Sequence, residues 1–230
     1  ACDSGKPVAA VLVSGRPQVI TELTEKANAV LEAWFPGCEA GNAVADIISG
    51  DVNPSGKLCV SFPKALGQVP VYYNHLNTGR PQLEEGQPFL TGYLDGSMRP
   101  LYDFGYGLSY TSFAVENVKV SAEIFHPGDT LTVTADVVNT GERSGTEVLQ
   151  LYIHDVAASI ARPVKELKGF ERVELAPGER RQITFALTAE TFSFCGLELK
   201  ETIEPGKVEI FLGTSSRDCD LVRMEIVIEM

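Results

Sequence analysis

The residues best suited to polar chemistry cluster in one short run, Val71-Tyr72-Tyr73-Asn74-His75-Leu76-Asn77. Aromatic faces stack on sugar C–H groups, and Asn and His side chains hydrogen-bond hydroxyls, so such a run can line a carbohydrate site. The competing reading is that Tyr72 and Tyr73 pack a domain junction, and the residue types leave both open. Glu39 is the best placed acid. Hydrolysis of a glycosidic bond takes two carboxyl groups on opposite sides of the scissile bond, roughly 5 Å apart in retaining enzymes. Glu39 precedes a helix predicted to start near Gly41, where the helix N-terminus favours a carboxylate over the protonated acid that donates to a leaving group. A capping or loop-anchoring role suits it better. Spacing names no second carboxylate, so the sequence shows no complete catalytic pair.

Other constellations fail on chemical grounds. Gly50-Asp51-Val52-Asn53-Pro54-Ser55-Gly56-Lys57-Leu58 resembles a phosphate loop, but it has five residues between the glycines and Leu58 where a hydroxyl would hold magnesium. It also follows a helix instead of a strand. Ser14 ends a strand-like run but lacks a nucleophile elbow, and His75, His126 and His154 fall in different segments without metal-binding spacing. His126 precedes Pro127-Gly128 and reads as a turn residue. No metal site and no cofactor is expected.

The elements that must position these residues fall into two regions. Val8 to Val13 is a continuous apolar run, as in a strand covered on both faces. A short helical segment is predicted around Glu22 to Lys26, and a second strand over Ala29 to Phe35, stopped by Pro36-Gly37. Ala43, Val44, Ile47 and Ile48 mark one helical face ending at Gly50. Lys57 to Phe62 reads as a third strand closed by Pro63. Three parallel strands with helices between them make half of a doubly wound sheet. An exposed parallel edge at Val8 to Val13 would be an aggregation hazard, so a pairing partner upstream is expected. From Phe113 onward, alternation such as Leu131-Thr132-Val133-Thr134-Ala135-Asp136-Val137, with turns at Asn139-Thr140-Gly141 and Ala176-Pro177-Gly178, predicts about seven strands of an antiparallel sandwich. The expected fold class is therefore α/β followed by all-β. The expected domains are a partial α/β unit over 1–76, a linker over 77–112 and an Ig-like or fibronectin type III-like sandwich over 113–230.

Composition sets outer limits. Hydrophobic residues at 44% and charged residues at 22% place the 230-residue chain in the globular class. A formal net charge of −12 opposes binding to nucleic acid or to an anionic membrane surface. Five cysteines without a CxxC cannot all pair within the chain, which favours reduced thiols and a cytoplasmic setting. The start, Ala1-Cys2-Asp3-Ser4-Gly5-Lys6, reads as the middle of a longer polypeptide.

Several segments together resemble glycoside hydrolase family 3, of the β-glucosidase type. They include Val11-Leu12-Val13-Ser14-Gly15-Arg16-Pro17, the run from Trp34 to Asp46, and Gly50 to Phe62. Tyr72 to Pro81, Tyr102 to Thr111, Arg162 to Phe170 and Ala176 to Glu179 also match in order. The resemblance implies a partial second α/β-sandwich domain and a fibronectin type III-like domain. The implied activity is retaining hydrolysis of terminal non-reducing β-linked glucose, or a related sugar such as xylose. It implies a nucleophile in an upstream (β/α)8 barrel and an acid/base residue upstream of Lys6, so no catalytic residue is assigned here. Tyr73, Asn74, His75 and Arg80 are expected to line the substrate, and Glu39 and Arg16 to support the site from behind. The barrel and the rest of the α/β domain are the expected partners, in the same precursor or as a separate chain, and β-glucosides the expected substrates. A homodimer is compatible with the sequence. The rival readings are a subunit of a split glycosidase and a non-catalytic carbohydrate-binding or scaffold module. Cys38 and Cys59 replace small or proline residues of the pattern, Ala40 replaces a glycine, and 83–92 is more acidic than it.

Overall fold

The computed structural model describes residues 2–80, 89–93 and 95–230; Pro81 of the matched motif and most of the acidic stretch 83–92 lie outside them. The first region holds β1 (Ala9–Leu12), α1 (Thr21–Lys26), β2 (Ala29–Glu32) and α2 (Ala40–Ser49). β1 and β2 run parallel, in register from Ala9 opposite Ala29 to Leu12 opposite Glu32. α2 stops because Gly50 takes a left-handed φ of 85° while its N–H reaches the Ile47 carbonyl, the closure that glycine permits.

The third parallel strand expected over Lys57 to Phe62 does not form. That segment is extended, but its backbone pairs with residues 101–106. Leu58 N–H donates to Tyr106 O at 2.8 Å, Gly105 N–H to Leu58 O at 2.7 Å, and Phe62 N–H to Tyr102 O at 2.8 Å. Phe62 and Tyr102 form an antiparallel bridge. A run of apolar residues dictates extension but not the partner, and the aromatic segment 101–106 satisfies these donors before β2 can. The 77–112 stretch, expected as a linker, is thus fastened to the chain over its second half.

The second region is a sandwich. One sheet orders β4 (Ile124–Phe125), β12 (Leu221–Ile228), β11 (Gly206–Gly213), β6 (Gly145–Asp155) and β7 (Glu166–Leu175). The other orders β3 (Phe113–Val120), β5 (Leu131–Asn139) and β8 (Arg180–Leu187). A helical turn, α3 (Ala189–Phe192), and a hairpin of β9 (Phe194–Cys195) and β10 (Glu201–Thr202) complete it. The β4–β12 pairing is parallel, a departure from the antiparallel expectation. In β5 the residues alternate strictly between buried and half-buried, so Leu131, Val133, Ala135 and Val137 face Leu149, Leu151, Ile210 and Leu212 in one core. Before Phe113, only Ile20 and Phe62 are buried hydrophobics among the described residues.

Polar side chains fasten the two regions. The failed phosphate loop is a bracket: Asn53 Oδ1 accepts from Ser109 Oγ and Tyr110 N–H, while its Nδ2 donates to Ser144 O at 2.9 Å. Lys57 pairs with Glu147 at 2.7 Å, both largely buried, and also donates to Gly107 O. Asn139, fully buried, accepts from Thr111 Oγ1 and donates to Arg143 O and Leu175 O. Gln150 Nε2 donates to Gly105 O and Thr214 O, and its Oε1 accepts from Tyr152 Oη at 2.5 Å. The Asp103 carboxyl acts electrostatically on the Tyr152 hydroxyl. Burial raises this carboxyl above the ordinary range, Asp218 and Asp220 add to the shift, and Arg217 and Lys165 oppose it.

Two outcomes follow for the seam. Gly105 has φ 80°, and a Cβ there would lie 2.0 Å from Gln150 Oε1, so Gly105→Ala should cost about 3 kcal/mol in urea unfolding. A raised folded-state pKa means that ionised Asp103 opposes folding, and that this cost disappears as pH falls through the raised value. Asp103→Asn should therefore raise Tm at neutral pH, with the difference closing below about pH 4; equal gains at both pH values would refute the assignment.

Candidate functional site

The sequence-predicted residues divide between the domain junction, an exposed loop and the turns near β1 and α2. Tyr73 is half-buried: its ring stacks on Phe104 at 4.4 Å and meets Tyr152 edge-on at 5.7 Å. Its hydroxyl accepts from Leu167 N–H at 3.3 Å. Tyr73 thus packs the junction, while Tyr72, Asn74, His75 and Arg80 stay exposed on the same loop. His75 Nδ1 lies 3.0 Å from Leu76 O, and its backbone carbonyl accepts from Val164 N–H. Arg80 O accepts from Thr91 N–H at 2.8 Å. Among the described residues no hydrogen bond engages the Asn74 side-chain amide, the His75 Nε2 or the Arg80 guanidinium.

Glu39 holds the residue position before α2, but its carboxylate makes no bond to the helix N–H groups. Oε2 accepts instead from Asn42 Nδ2 at 2.7 Å. Of the two roles expected of it, capping is not made, and the carboxylate anchors a side chain one turn on. Arg16 is exposed, and its backbone carbonyl accepts from the Ser14 hydroxyl at 3.0 Å.

Sequence reasoning passed over Glu32. It ends β2 and lies beside the turn that follows β1. Glu32 Oε1 accepts from Trp34 N–H at 3.0 Å and from the buried Ser14 hydroxyl at 3.2 Å. Those bonds hold Trp34 at φ 50°, a left-handed conformation costly for a large side chain. The indole then meets the Phe62 ring with centroids 5.8 Å apart. Gly15 leaves room for Phe35, since a Cβ there would sit 2.5 Å from that ring. The two turns at the carboxyl ends of β1 and β2 are therefore laced together, at the edge where α/β sheets bind ligands. Among the described residues Glu32 Oε2 is buried without a hydrogen-bond partner, which costs about 1–3 kcal/mol. The available signal was an acid inside the apolar run Ala29 to Phe35.

A concavity of about 700 Å³ lies elsewhere, lined by Leu12, Gln18 to Leu23 and Lys64 to Leu66. It contains none of the predicted site residues. Among the described residues no group of three His, Cys, Asp or Glu side chains is arranged to hold a metal ion. All five cysteines are free, and no helix among the described residues is long and apolar enough to cross a membrane.

Residues 1–110 match the glycosyl hydrolase family 3 C-terminal domain, and residues 147–216 match the fibronectin type III-like domain. The chain belongs to glycosyl hydrolase family 3. It is 48% identical over 214 residues to the periplasmic beta-glucosidase of Salmonella typhimurium, covering 93% of this chain and 28% of that protein. Identity to a beta-xylosidase of Formosa agariphila is 40% over 230 residues, 98% of this chain and 30% of that protein. The fold superposes on the beta-glucosidase from Listeria innocua in complex with gluconolactone with a TM-score of 0.94, at 46% identity, over 100% of this chain and 32% of that one. This family 3 chain therefore spans about 30% of the length of the relatives it matches.

Trp34 is the sole tryptophan of the chain, so its fluorescence reports on the laced turns. Glu32→Ala should shift its emission to longer wavelength by several nanometres. Glu32→Gln retains an oxygen that accepts from Trp34 N–H and Ser14, and should leave the emission near wild type. An unchanged spectrum in the alanine variant would show that Glu32 does not set the Trp34 conformation.

Proposed function

We propose that this chain is the C-terminal portion of a retaining β-glucosidase-type glycosidase acting on terminal non-reducing β-linked glucose or xylose. It supports the active site and partly lines it through Asn74, His75 and Arg80, with Tyr73, Glu39 and Arg16 behind. The catalytic carboxylates come from outside these 230 residues, on a barrel and the remainder of the α/β layer, within the same polypeptide or on a separate chain.

The observation that carries this reading is the open side of the first region. Among the described residues its sheet has two strands of four residues each, and β1 pairs on one side only. Val11, Val13 and Phe35 are exposed at 36%, 63% and 80%, and α2 buries none of its residues fully. A parallel pair in water with uncovered apolar side chains is not a stable end state. Further strands beside β1 and a layer over α2 would remove both defects. The relatives' names, glucosidase and xylosidase, supply the substrate class. The free thiols favour a reducing compartment.

Assayed alone, the chain should release no nitrophenol from aryl β-glucosides or β-xylosides, whereas the polypeptide joined to its barrel should turn over. Hydrolysis by the 230-residue chain at the rate of a complete glycosidase would overturn the reading.

A further inference from the structure

The loop over 71–80 has no regular secondary structure and little internal bonding; Gly79 N–H donates to Asn77 Oδ1 within it. Its place is set by the sandwich. Tyr73 Oη accepts from Leu167 N–H, His75 O accepts from Val164 N–H at 2.9 Å, and Leu76 forms an antiparallel bridge with Pro163. All three receiving residues lie on or just after the connection between β6 and β7.

That connection is itself braced by the sandwich. His154 Nδ1 lies 2.8 Å from Pro163 O. A carbonyl only accepts, so this nitrogen carries the proton. Arg162 Nη2 donates to Glu166 Oε2 at 2.5 Å, and its guanidinium lies 4.3 Å from the Phe194 ring centroid. The Arg162 side chain is 8% exposed. A planar cation held between a carboxylate and an aromatic face has little freedom, so the shelf that receives the loop is stiff.

We propose that the fibronectin type III-like sandwich is a positioning element for the substrate loop. It fixes Asn74, His75 and Arg80 through the β6–β7 connection and so sets the affinity for a terminal β-linked sugar. Arg162 and Tyr73 are the positioning residues; neither touches the sugar. The inference rests on the reading of this loop as substrate-lining.

Hydrogen exchange on the polypeptide joined to its barrel tests the docking. Tyr73→Ala should speed exchange of the Val164 amide about tenfold or more, while core amides such as Leu151 and Ile210 keep their protection. Unchanged Val164 protection would overturn the proposal and leave the substrate-lining reading untouched. In the polypeptide joined to its barrel, Arg162→Ala should raise KM for aryl β-glucosides about tenfold with kcat within about twofold, as expected for a misplaced binding loop. Tyr73→Phe, which keeps the ring and loses the hydroxyl, should fall between wild type and Tyr73→Ala. Faster Val164 exchange in Tyr73→Ala with KM unchanged in both Tyr73→Ala and Arg162→Ala would overturn the proposal from the other side, because the loop would then not contact substrate. A fall in kcat alone would reduce the role of Arg162 to stability and overturn it as well.

Discussion

A polar group taken out of water must find a partner, and this requirement holds the molecule together at its seam. An unmatched buried donor or acceptor costs about 1–3 kcal/mol, comparable with much of a domain's net stability. Asn53, Lys57, Asn139 and Gln150 each sit where the first region meets the sandwich, and each has partners on both sides or on the segment between them. Apolar contact is non-directional and would allow the regions to slide. Directed bonds to backbone carbonyls, such as Gln150 to Gly105 and Thr214, allow one arrangement.

Burial is unequal between the two regions. The sandwich has a contiguous apolar core built from both sheets, sufficient for an independent domain. The first region has two short strands, two helices and two buried hydrophobics among its described residues. Its order depends on what it leans against: the 101–106 segment on one side, the bracket from Asn53 to Lys57 on another, and an open apolar edge at β1.

Local pattern made some of this readable. The apolar run Val8 to Val13 announced a strand, although the cover it predicts on both faces is not supplied by the described residues, and the alternation in Leu131 to Val137 announced the sandwich, because period follows from strand geometry. Partners were less readable. Lys57 to Phe62 was legibly extended, yet its ladder runs to residues 39 to 48 positions away, and no local rule names such a partner. The segment 101–112 looked like a linker because its bonds are long-range and made by loops. Glu32 was hidden because an acid at the end of an apolar run looks like a strand's exposed face, and only the fold places Ser14 and Trp34 around it. Tyr73 carried both readings in its residue type, and the stacking on Phe104 places it at the junction.

The contact between Gly105 and Gln150 also bears on how such chains can be recombined. A glycine with no room for a methyl group and a glutamine filling that room lie on different regions, 45 positions apart. Each is acceptable only in the presence of the other. A sandwich transplanted from a relative with another side chain at the Gln150 position would meet a seam cut for a different key. Modules that look interchangeable by sequence boundary are therefore inherited as matched halves, and the useful crossover point lies away from 101–112.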